Sequence, residues 1–271
     1  MAEPARETLD LWPAVSRDLA ADHDLLCRVV RHAGAIASDF FHRRPAGWDK
    51  RPGEPVSEAD LAVDSYMRHA LLAERPGYGW LSEESEAAGK GAARNFVIDP
   101  IDGTRSFLKG RPEYAISAAV VADGRPTVAA VFNPETKEFF EAVEGGGARL
   151  NGRTISVART PRESGVRLLV SWREFQRLGE AAGFVGSQIS PIGSIAYKLA
   201  LVAAGSADGV VALSPKSDWD LAGAHLVLTE AGGRITDGTG APLSYRGHEH
   251  KSVVAANPAL HGKLIAQIAK L

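Results

Sequence analysis

The sequence lacks most of the features that mark membrane, secreted and nucleic-acid-binding proteins. Its only cysteine is Cys27, so no disulfide can form within the chain. No apolar run approaches the length of a membrane span, and the polar N-terminus is unlike a signal peptide. The net charge is only −2 and no stretch is rich in Lys and Arg, which argues against binding to nucleic acids. We therefore expect a cytoplasmic globular protein that binds neither membranes nor nucleic acids.

Histidine and cysteine supply no evident metal motif. The eight histidines form no pair at metal-ligand spacing, and we assign none of them a role. Cys27 stands among apolar residues and is predicted to be a small buried side chain of a helix. With 45% hydrophobic and 24% charged residues, the composition is that of an ordinary globular protein.

The distribution of apolar residues predicts helices first, then a meandering sheet, then alternating strands and helices. Helical spacing indicates helices over 25–40 and 58–74, with a loop over 45–55 between them. The predicted strands are 78–81, 95–98, 114–121, 127–132, 138–143, 166–170, 188–190, 210–213 and 252–255. The later helices are 172–182, 195–204, 221–231 and 258–269. This order predicts a layered α/β architecture.

We divide the chain into three parts. Residues 1–20 are predicted to form an N-terminal arm, 21–162 an N-terminal α+β half with a helix pair and an antiparallel sheet, and 163–271 a C-terminal α/β half. A chain of 271 residues can bury an ample core in one large domain or in two closely joined ones. The active site is expected between the two halves.

The most informative stretch is Asp-Pro-Ile-Asp-Gly-Thr at residues 99–104, which follows an apolar run predicted to be a buried strand. Asp99 is expected at the end of that strand, where Pro100 turns the chain out of the sheet. Carboxylates at a strand end, beside free amides and the hydroxyl of Thr104, can hold hard cations and a phosphate together. The alternative is a solvated turn, because Asp, Pro and Gly are common turn residues.

Two more acidic clusters favour a binding site over a turn. Upstream, Glu83 and Glu84 follow another short apolar strand. Downstream, Asp220 lies in the first turn of a predicted helix, where the helix dipole favours negative charge. Taken alone, Asp220 would be an ordinary helix-start carboxylate. Three acidic groups at the ends of elements favour one site assembled by the fold.

These blocks occur in the order of a known family, together with Pro-Val-Ser-Glu-Ala-Asp at residues 55–60 and Glu-Ala-Gly-Gly at 230–233. From about Leu25 to the C-terminus, the chain resembles the inositol monophosphatase superfamily of magnesium-dependent, lithium-sensitive phosphomonoesterases. The resemblance implies an α-β-α-β-α sandwich with the site between two sheets. It also implies a small phosphate ester as substrate and, in many members, a homodimer.

Two to three Mg²⁺ ions are the cofactors that the resemblance implies. Four carboxylates packed together without metal would repel one another and raise their pKa values, so the cluster makes sense only with cations. Oxygen ligands without His or Cys select Mg²⁺ rather than zinc. By resemblance, the first ion would contact Glu83, Asp99 and the carbonyl of Ile101, the second Asp99, Asp102 and Asp220, and a third, through water, Glu83 and Asp60.

Asp60, Thr104 and Glu83 form the predicted catalytic set. By resemblance, Thr104 and Asp60 orient the attacking water, while the N–H groups of Gly103 and Thr104 take the phosphate. Asp60 has a second interpretation, because Ser57 and Asp60 have the spacing of a capping box at a helix start. One carboxylate can serve both needs.

The predicted substrate contacts are Gly193, Ser194, Lys198, Leu213 and Lys216. Inositol-hydrolysing members of the superfamily carry an acidic residue a few positions before the Trp-Asp pair, whereas this chain has Leu213 there and Lys216 nearby. Leu213 offers no acceptor to a polyol hydroxyl but suits a purine, and Lys216 or Lys198 could meet a second phosphate. This departure favours a 3′(2′),5′-bisphosphate nucleotidase acting on 3′-phosphoadenosine 5′-phosphate. The alternative for each lysine is a solvated surface charge.

Two other functions stay open. An inositol-1-monophosphatase or a broad sugar-phosphate phosphatase would use the same metal site. A non-catalytic binding protein on this fold would be expected to lack a metal ligand, and none is missing from the motifs.

Overall fold

The computed structural model describes Trp12 and residues 15–159, 165–180, 187–247 and 249–270. Most of the predicted arm, the boundary at 162/163 and the end of the predicted helix 172–182 lie outside these residues. In the described part of the chain, no helix is both long and apolar enough to cross a membrane.

Two helices and a hairpin open the fold. They are α1 (Arg17–Arg43), β1 (Gly47–Arg51), β2 (Glu54–Ser57) and α2 (Glu58–Glu74). Helix α2 has the predicted bounds, whereas α1 begins before residue 25 and takes residues 17–20 from the predicted arm. Trp12 is buried in the same apolar cluster as α1 and α2. The predicted loop over 45–55 is wrong, because β1 and β2 pair antiparallel there.

A seven-stranded sheet follows, with its strands side by side in chain order. The strands are β3 (Gly79–Ser82), β4 (Arg94–Asp102), β5 (Ala115–Ala122), β6 (Arg125–Asn133), β7 (Glu138–Val143), β8 (Gly147–Leu150) and β9 (Arg153–Thr154). Only β3 and β4 pair parallel. Strand β4 does not end at Asp99 as expected but continues to Asp102 through an irregularity in its pairing with β5. Helix α3 (Thr104–Leu108) follows it.

The C-terminal part alternates strands and helices around a five-stranded sheet. Its strands are β10 (Val166–Val170), β11 (Ser187–Pro191), β12 (Gly209–Ala212), β14 (Arg234–Thr236) and β16 (Val253–Ala256). They lie side by side in the order β11-β10-β12-β16-β14, with β10 parallel to β11 and β12, and β16 antiparallel to β12 and β14. The remaining elements are α4 (Trp172–Glu180), α5 (Ile195–Ala203), α6 (Asp218–Glu230), α7 (Pro258–Ile268) and the pair β13 (Lys216–Ser217) and β15 (Glu249–His250).

Three apolar clusters hold five layers together. The first joins α1 and α2 to one face of the seven-stranded sheet. The second fills the space between the two sheets with residues of α5 and α6. The third covers the outer face of the five-stranded sheet with α7. The layers confirm the predicted α-β-α-β-α sandwich.

Candidate active site

Three aspartates meet at the end of the central layers. Asp99 and Asp102 lie on the last part of β4, and Asp220 lies in the first turn of α6. Each offers a carboxylate oxygen within 4.8 Å of the others. All three line one cavity of about 770 Å³, together with Glu83, Ile101, Gly103 and Thr104. The structure thus brings together residues that are far apart in sequence.

The irregularity in β4 explains how Asp99 and Asp102 reach the same side. Residues three apart on a regular strand point to opposite faces, because side chains alternate with a period of two. Between Asp99 and Asp102 the register with β5 shifts, as in a β-bulge, and the extra residue turns the second carboxylate back. Pro100 fits there because a bulged position needs no ladder hydrogen bond. The proline therefore marks the bulge and not the end of the strand.

The electrostatics of the aspartates favour a bound cation. Burial, and then the charges of Glu83 and Asp102, hold the pKa of Asp99 well above its usual range. Burial and the charge of Asp102 raise the pKa of Asp220 to about 8. Oδ2 of Asp99 is buried and has no hydrogen-bond partner among the described residues. An oxygen-only donor set with an unpaired buried carboxylate oxygen fits a hard divalent cation.

Glu83 also lines the cavity, where it meets a lysine that the sequence analysis did not single out. Nζ of Lys50, on β1, lies 3.0 Å from Oε1 of Glu83 and 2.7 Å from Oε1 of Glu84. Burial, only partly offset by this lysine, raises the pKa of Glu84 to about 7. Lys50 thus supplies part of the positive charge that the acidic cluster requires.

Asp60 closes the capping box of α2 and contacts Thr104 at the same time. Its Oδ2 accepts hydrogen bonds from the backbone N–H of Ser57 at 2.9 Å and from Ser57 Oγ at 2.5 Å, which completes the capping box of α2. Its Oδ1 accepts from Thr104 Oγ1 at 3.0 Å. The same hydroxyl lies 3.1 Å from the carbonyl oxygen of Ile101. The cap and the contact to the site use different oxygens of one carboxylate.

Gly193 and Ser194 form one wall of the cavity. A Cβ on Gly193 would lie 2.1 Å from Ser106 Oγ and 2.7 Å from the carbonyl oxygen of Glu113, so this wall requires glycine. Ser194 Oγ donates to Oδ2 of Asp102 at 2.6 Å. Ser194 was predicted to contact the substrate, but in the structure its hydroxyl positions Asp102.

Gly103 separates β4 from α3. Its φ of +103° favours glycine, and a Cβ there would lie 3.0 Å from the carbonyl oxygen of Glu113. The first N–H groups of a helix have no acceptor within it. The phosphate contact through Gly103 and Thr104 stays a prediction.

Lys198 and Lys216 line the cavity, whereas Leu213 does not. Lys198 is 3% exposed, and burial lowers its pKa to about 8 against the opposing charges of Glu174 and Asp102. Nζ of Lys216 donates to Ser214 Oγ at 2.8 Å. The side chain of Leu213 packs against the outer apolar cluster of the five-stranded sheet. The structure thus does not bring the side chain of Leu213 to the cavity.

Glu174 and Trp172, both on α4, are site residues that sequence reasoning missed. Glu174 is 4% exposed and accepts from the backbone N–H groups of Leu213 at 2.6 Å and of Ser214 at 3.3 Å, which holds the loop before α6. Trp172 lines the cavity and is 51% exposed, with the guanidinium of Arg111 5.1 Å from its ring. A large exposed aromatic just after a buried strand was the available signal for Trp172.

A model of the inositol monophosphatase family matches residues 19–271. The chain belongs to this family. It is 38% identical over 226 residues to an inositol-1-monophosphatase of Rhizobium meliloti, which covers 77% of this chain and 80% of that protein. A histidinol-phosphatase of Chlorobaculum parvum is 30% identical over 265 residues, covering 92% and 97%. The crystal structure of extragenic suppressor protein suhB from Bartonella henselae matches with a TM-score of 0.83 and 30% identity over 92% of this chain and 99% of that one.

Membership makes this chain a phosphoric monoester hydrolase of a generally metal-dependent family that acts on small phosphate esters. The cluster of three aspartates could hold such a metal ion. The substrate differs among its relatives, and the residues that line the cavity must decide it.

Proposed function

We propose that this protein is an Mg²⁺-dependent phosphomonoesterase that prefers 3′-phosphoadenosine 5′-phosphate and releases phosphate and AMP. The observation that carries the metal requirement is the cluster of Asp99, Asp102 and Asp220 around an unpaired buried oxygen. Carboxylates buried this close together must either take up protons or have their charge offset by a cation. Oxygen ligands favour Mg²⁺ among the common divalent ions.

The residues of the site divide into those that would hold the metal ions and those that would orient the attacking water. Bound Mg²⁺ would supply an activated water and a counter-charge for the leaving oxygen. Asp60 accepts a hydrogen bond from the hydroxyl of Thr104. The lone pairs of the Thr104 oxygen are then free to accept a hydrogen bond from the attacking water and to orient it. The proposed metal contacts are Glu83, Asp99 and the Ile101 carbonyl for one ion, Asp99, Asp102 and Asp220 for the other, and Glu83 and Asp60 through water for a third.

The cavity also has the positive charge to bind a nucleotide with two phosphates. Lys198 and Lys216 line it together with Arg173 and Arg105, more positive charge than one phosphate ester requires. Trp172 presents an exposed ring at the same cavity. Stacking of a base on an aromatic side chain contributes about 1–3 kcal/mol. This ring takes the place that the sequence interpretation gave to Leu213.

The second candidate is an inositol-1-monophosphatase or a broad sugar-phosphate phosphatase with the same metal contacts. The relative from Rhizobium meliloti carries that name at 38% identity, and this favours it. Histidinol phosphate fits less well, because its amino group would repel the Lys and Arg side chains that line the cavity. A non-catalytic binding protein would be expected to lack a metal ligand, and every proposed position holds one. The homodimer and the cytoplasmic location stay predictions.

Substrate preference is tested by phosphate release with Mg²⁺ from a panel of bisphosphonucleotides, inositol phosphates and sugar phosphates. The specificity constant for 3′-phosphoadenosine 5′-phosphate should exceed that for inositol 1-phosphate by about tenfold or more. Lys216→Ala and Trp172→Ala should each reduce the ratio of these two specificity constants. Lys263 is an exposed lysine on α7, so Lys263→Ala is the matched control and should leave the ratio of specificity constants unchanged.

Two results would overturn the proposal at different levels. A higher specificity constant for inositol 1-phosphate, or an equal effect of Lys216→Ala on both substrates, would refute the nucleotide preference and leave the phosphatase intact. Undiminished activity in excess chelator would refute the metal requirement itself.

A further inference from the structure

A second group of metal-ligating side chains lies on the other face of the seven-stranded sheet. His23 and Cys27, one helical turn apart on α1, face Glu141 on β7. All three are buried, with 4%, 7% and 6% of their surface exposed. Their donor atoms converge on one point: each residue offers a ligand atom within 4.8 Å of the other two. None of these residues lines the catalytic cavity.

The distances within this group match the edges of a tetrahedral zinc site. Zinc binds Cys sulfur at about 2.3 Å, His nitrogen at about 2.0–2.1 Å and carboxylate oxygen at about 2.0–2.2 Å. At tetrahedral angles, these bond lengths separate the donors by about 3.4–3.6 Å. In the structure, Cys27 Sγ lies 3.2 Å from His23 Nε2 and 3.6 Å from Glu141 Oε2, and Nε2 lies 3.3 Å from Oε2.

We propose that His23, Cys27 and Glu141 form a buried structural site for Zn²⁺ or a similar thiophilic divalent cation. The donor set is that of zinc and unlike the all-oxygen set of the catalytic aspartates. The fourth position is left to the second oxygen of Glu141 or to a water. On binding, the Cys27 thiol loses its proton to solvent as the sulfur–metal bond forms.

The neighbouring charges are compatible with a cation. Asp24 places a carboxylate oxygen 3.9 Å from Nδ1 of His23, on the side of the ring away from the proposed metal. A carboxylate at that nitrogen favours the tautomer that leaves Nε2 free to bind. Arg31 is the opposing charge: with His23 it lowers the pKa of Glu141 against the effect of burial. With thiolate, two carboxylates, one guanidinium and Zn²⁺, the charges of the group sum to zero.

The competing interpretation is a hydrogen-bonded triad without metal. Such a triad joins the thiol to the carboxylate only at 3.6 Å. A metal would replace these weak contacts by three bonds between α1 and the sheet. Because Cys27 and Glu141 are 114 residues apart in sequence, that link would resist unfolding as a cross-link does.

Cobalt spectroscopy tests the site, because Co²⁺ bound to a thiolate gives a near-ultraviolet charge-transfer band that oxygen ligands do not give. Cys27 is the only cysteine, so any such band must come from this site. The purified full chain is stripped with chelator and titrated with Co²⁺ in excess Mg²⁺, which occupies the catalytic carboxylates. We expect the band to appear in the wild type, to persist in Asp99→Asn and to be absent from Cys27→Ser. Absence of the band from the wild-type protein would overturn the proposal.

Zinc itself gives the second measurement. Zn²⁺ in excess Mg²⁺ should raise the melting temperature of the wild type but not that of Cys27→Ser or Glu141→Gln, and should be lost from both variants in equilibrium dialysis. An equal rise in all three proteins would refute the site, even if one variant folds poorly. Phosphatase activity with Mg²⁺ is measured in parallel, so that a failure here is distinguishable from a failure of the proposed function.

Discussion

Asp60→Asn should separate the structural use of this residue from its use in the reaction. In the wild type, Oδ2 of Asp60 accepts from Ser57 and Oδ1 accepts from Thr104. Asparagine has one oxygen and one NH₂ group. Its oxygen must face the backbone N–H of Ser57, because two donors there would repel. The NH₂ group then points at Thr104 and reverses that hydrogen bond.

The reversal predicts a large effect on rate and a small one on stability. Thr104 would accept from the introduced amide and turn its proton to the carbonyl of Ile101, 3.1 Å away. The amide then takes one of the two lone pairs of Thr104 and changes the direction from which the attacking water can donate. Positioned proton acceptors contribute about 10²–10⁴-fold, so kcat should fall by at least about 10²-fold. The cap is retained and a buried charge is removed. The free energy of unfolding should therefore change by about 1 kcal/mol or less.

The assay is kcat at saturating Mg²⁺ together with the melting temperature of each variant. Asn257→Ala is the matched control: it removes the side-chain oxygen that caps α7 by accepting from the N–H of Leu260, and should cost about 1 kcal/mol of stability with kcat unchanged. Thr104→Val should lower kcat as Asp60→Asn does, and the double variant should be little worse than either single one. A near-normal kcat in Asp60→Asn would refute the role of Asp60 in the reaction and leave it only the capping of α2.

Three further outcomes follow from the structure. Asp99→Asn should lower kcat by at least about 10²-fold while the metal-free protein melts no lower than the wild type, because like-charge repulsion is relieved; near-normal turnover would contradict its role at both ions. Gly193→Ala should cost about 1–3 kcal/mol of stability, measured by urea unfolding, because its Cβ would lie 2.1 Å from Ser106 Oγ. Burial, and then the charge of His250, lowers the pKa of His225 from 6.5 to about 4. The unfolded chain therefore takes up a proton first as the pH falls, so stability should drop between about pH 6.5 and 4, by about 2 kcal/mol at pH 5, and be unaffected above. His225→Gln should flatten that decline, and an unchanged pH profile would refute the assignment.

Sequence patterns predicted the elements whose signals are local. Helix α2 was predicted from Glu58 to Glu74 because its capping box and its apolar spacing both lie within the segment. The hairpin of β1 and β2 was missed because β1 is exposed at every residue, so it carries no alternation of apolar and polar side chains. Strand β4 was predicted too short because Pro100 is equally compatible with a strand end and with a bulge.

The structure brings the three predicted aspartates together but leaves the side chain of Leu213 out of the cavity, and this difference has a physical reason. Several carboxylates must lie close together to hold cations, and the acidic segments that supply them can be recognised in the sequence itself. The wall of the cavity instead depends on contacts between distant segments. Lys50 reaches Glu83 across 33 residues, and Glu174 reaches Leu213 across 39. No local pattern encodes the direction in which a side chain such as Leu213 points.

The acidic residues of this site also organise the helices around it. Asp60 closes the start of α2, Asp220 closes the start of α6, and Asp102 accepts from the backbone N–H of Ala196 at 2.5 Å at the start of α5. In each case one oxygen accepts from a helix N-terminus, and these hydrogen bonds offset part of the cost of burial. Asp99 has no helix to hold it, and one of its oxygens is left without a hydrogen bond from the described residues. Among the four carboxylates, Asp99 is therefore the one whose burial depends most on a bound cation.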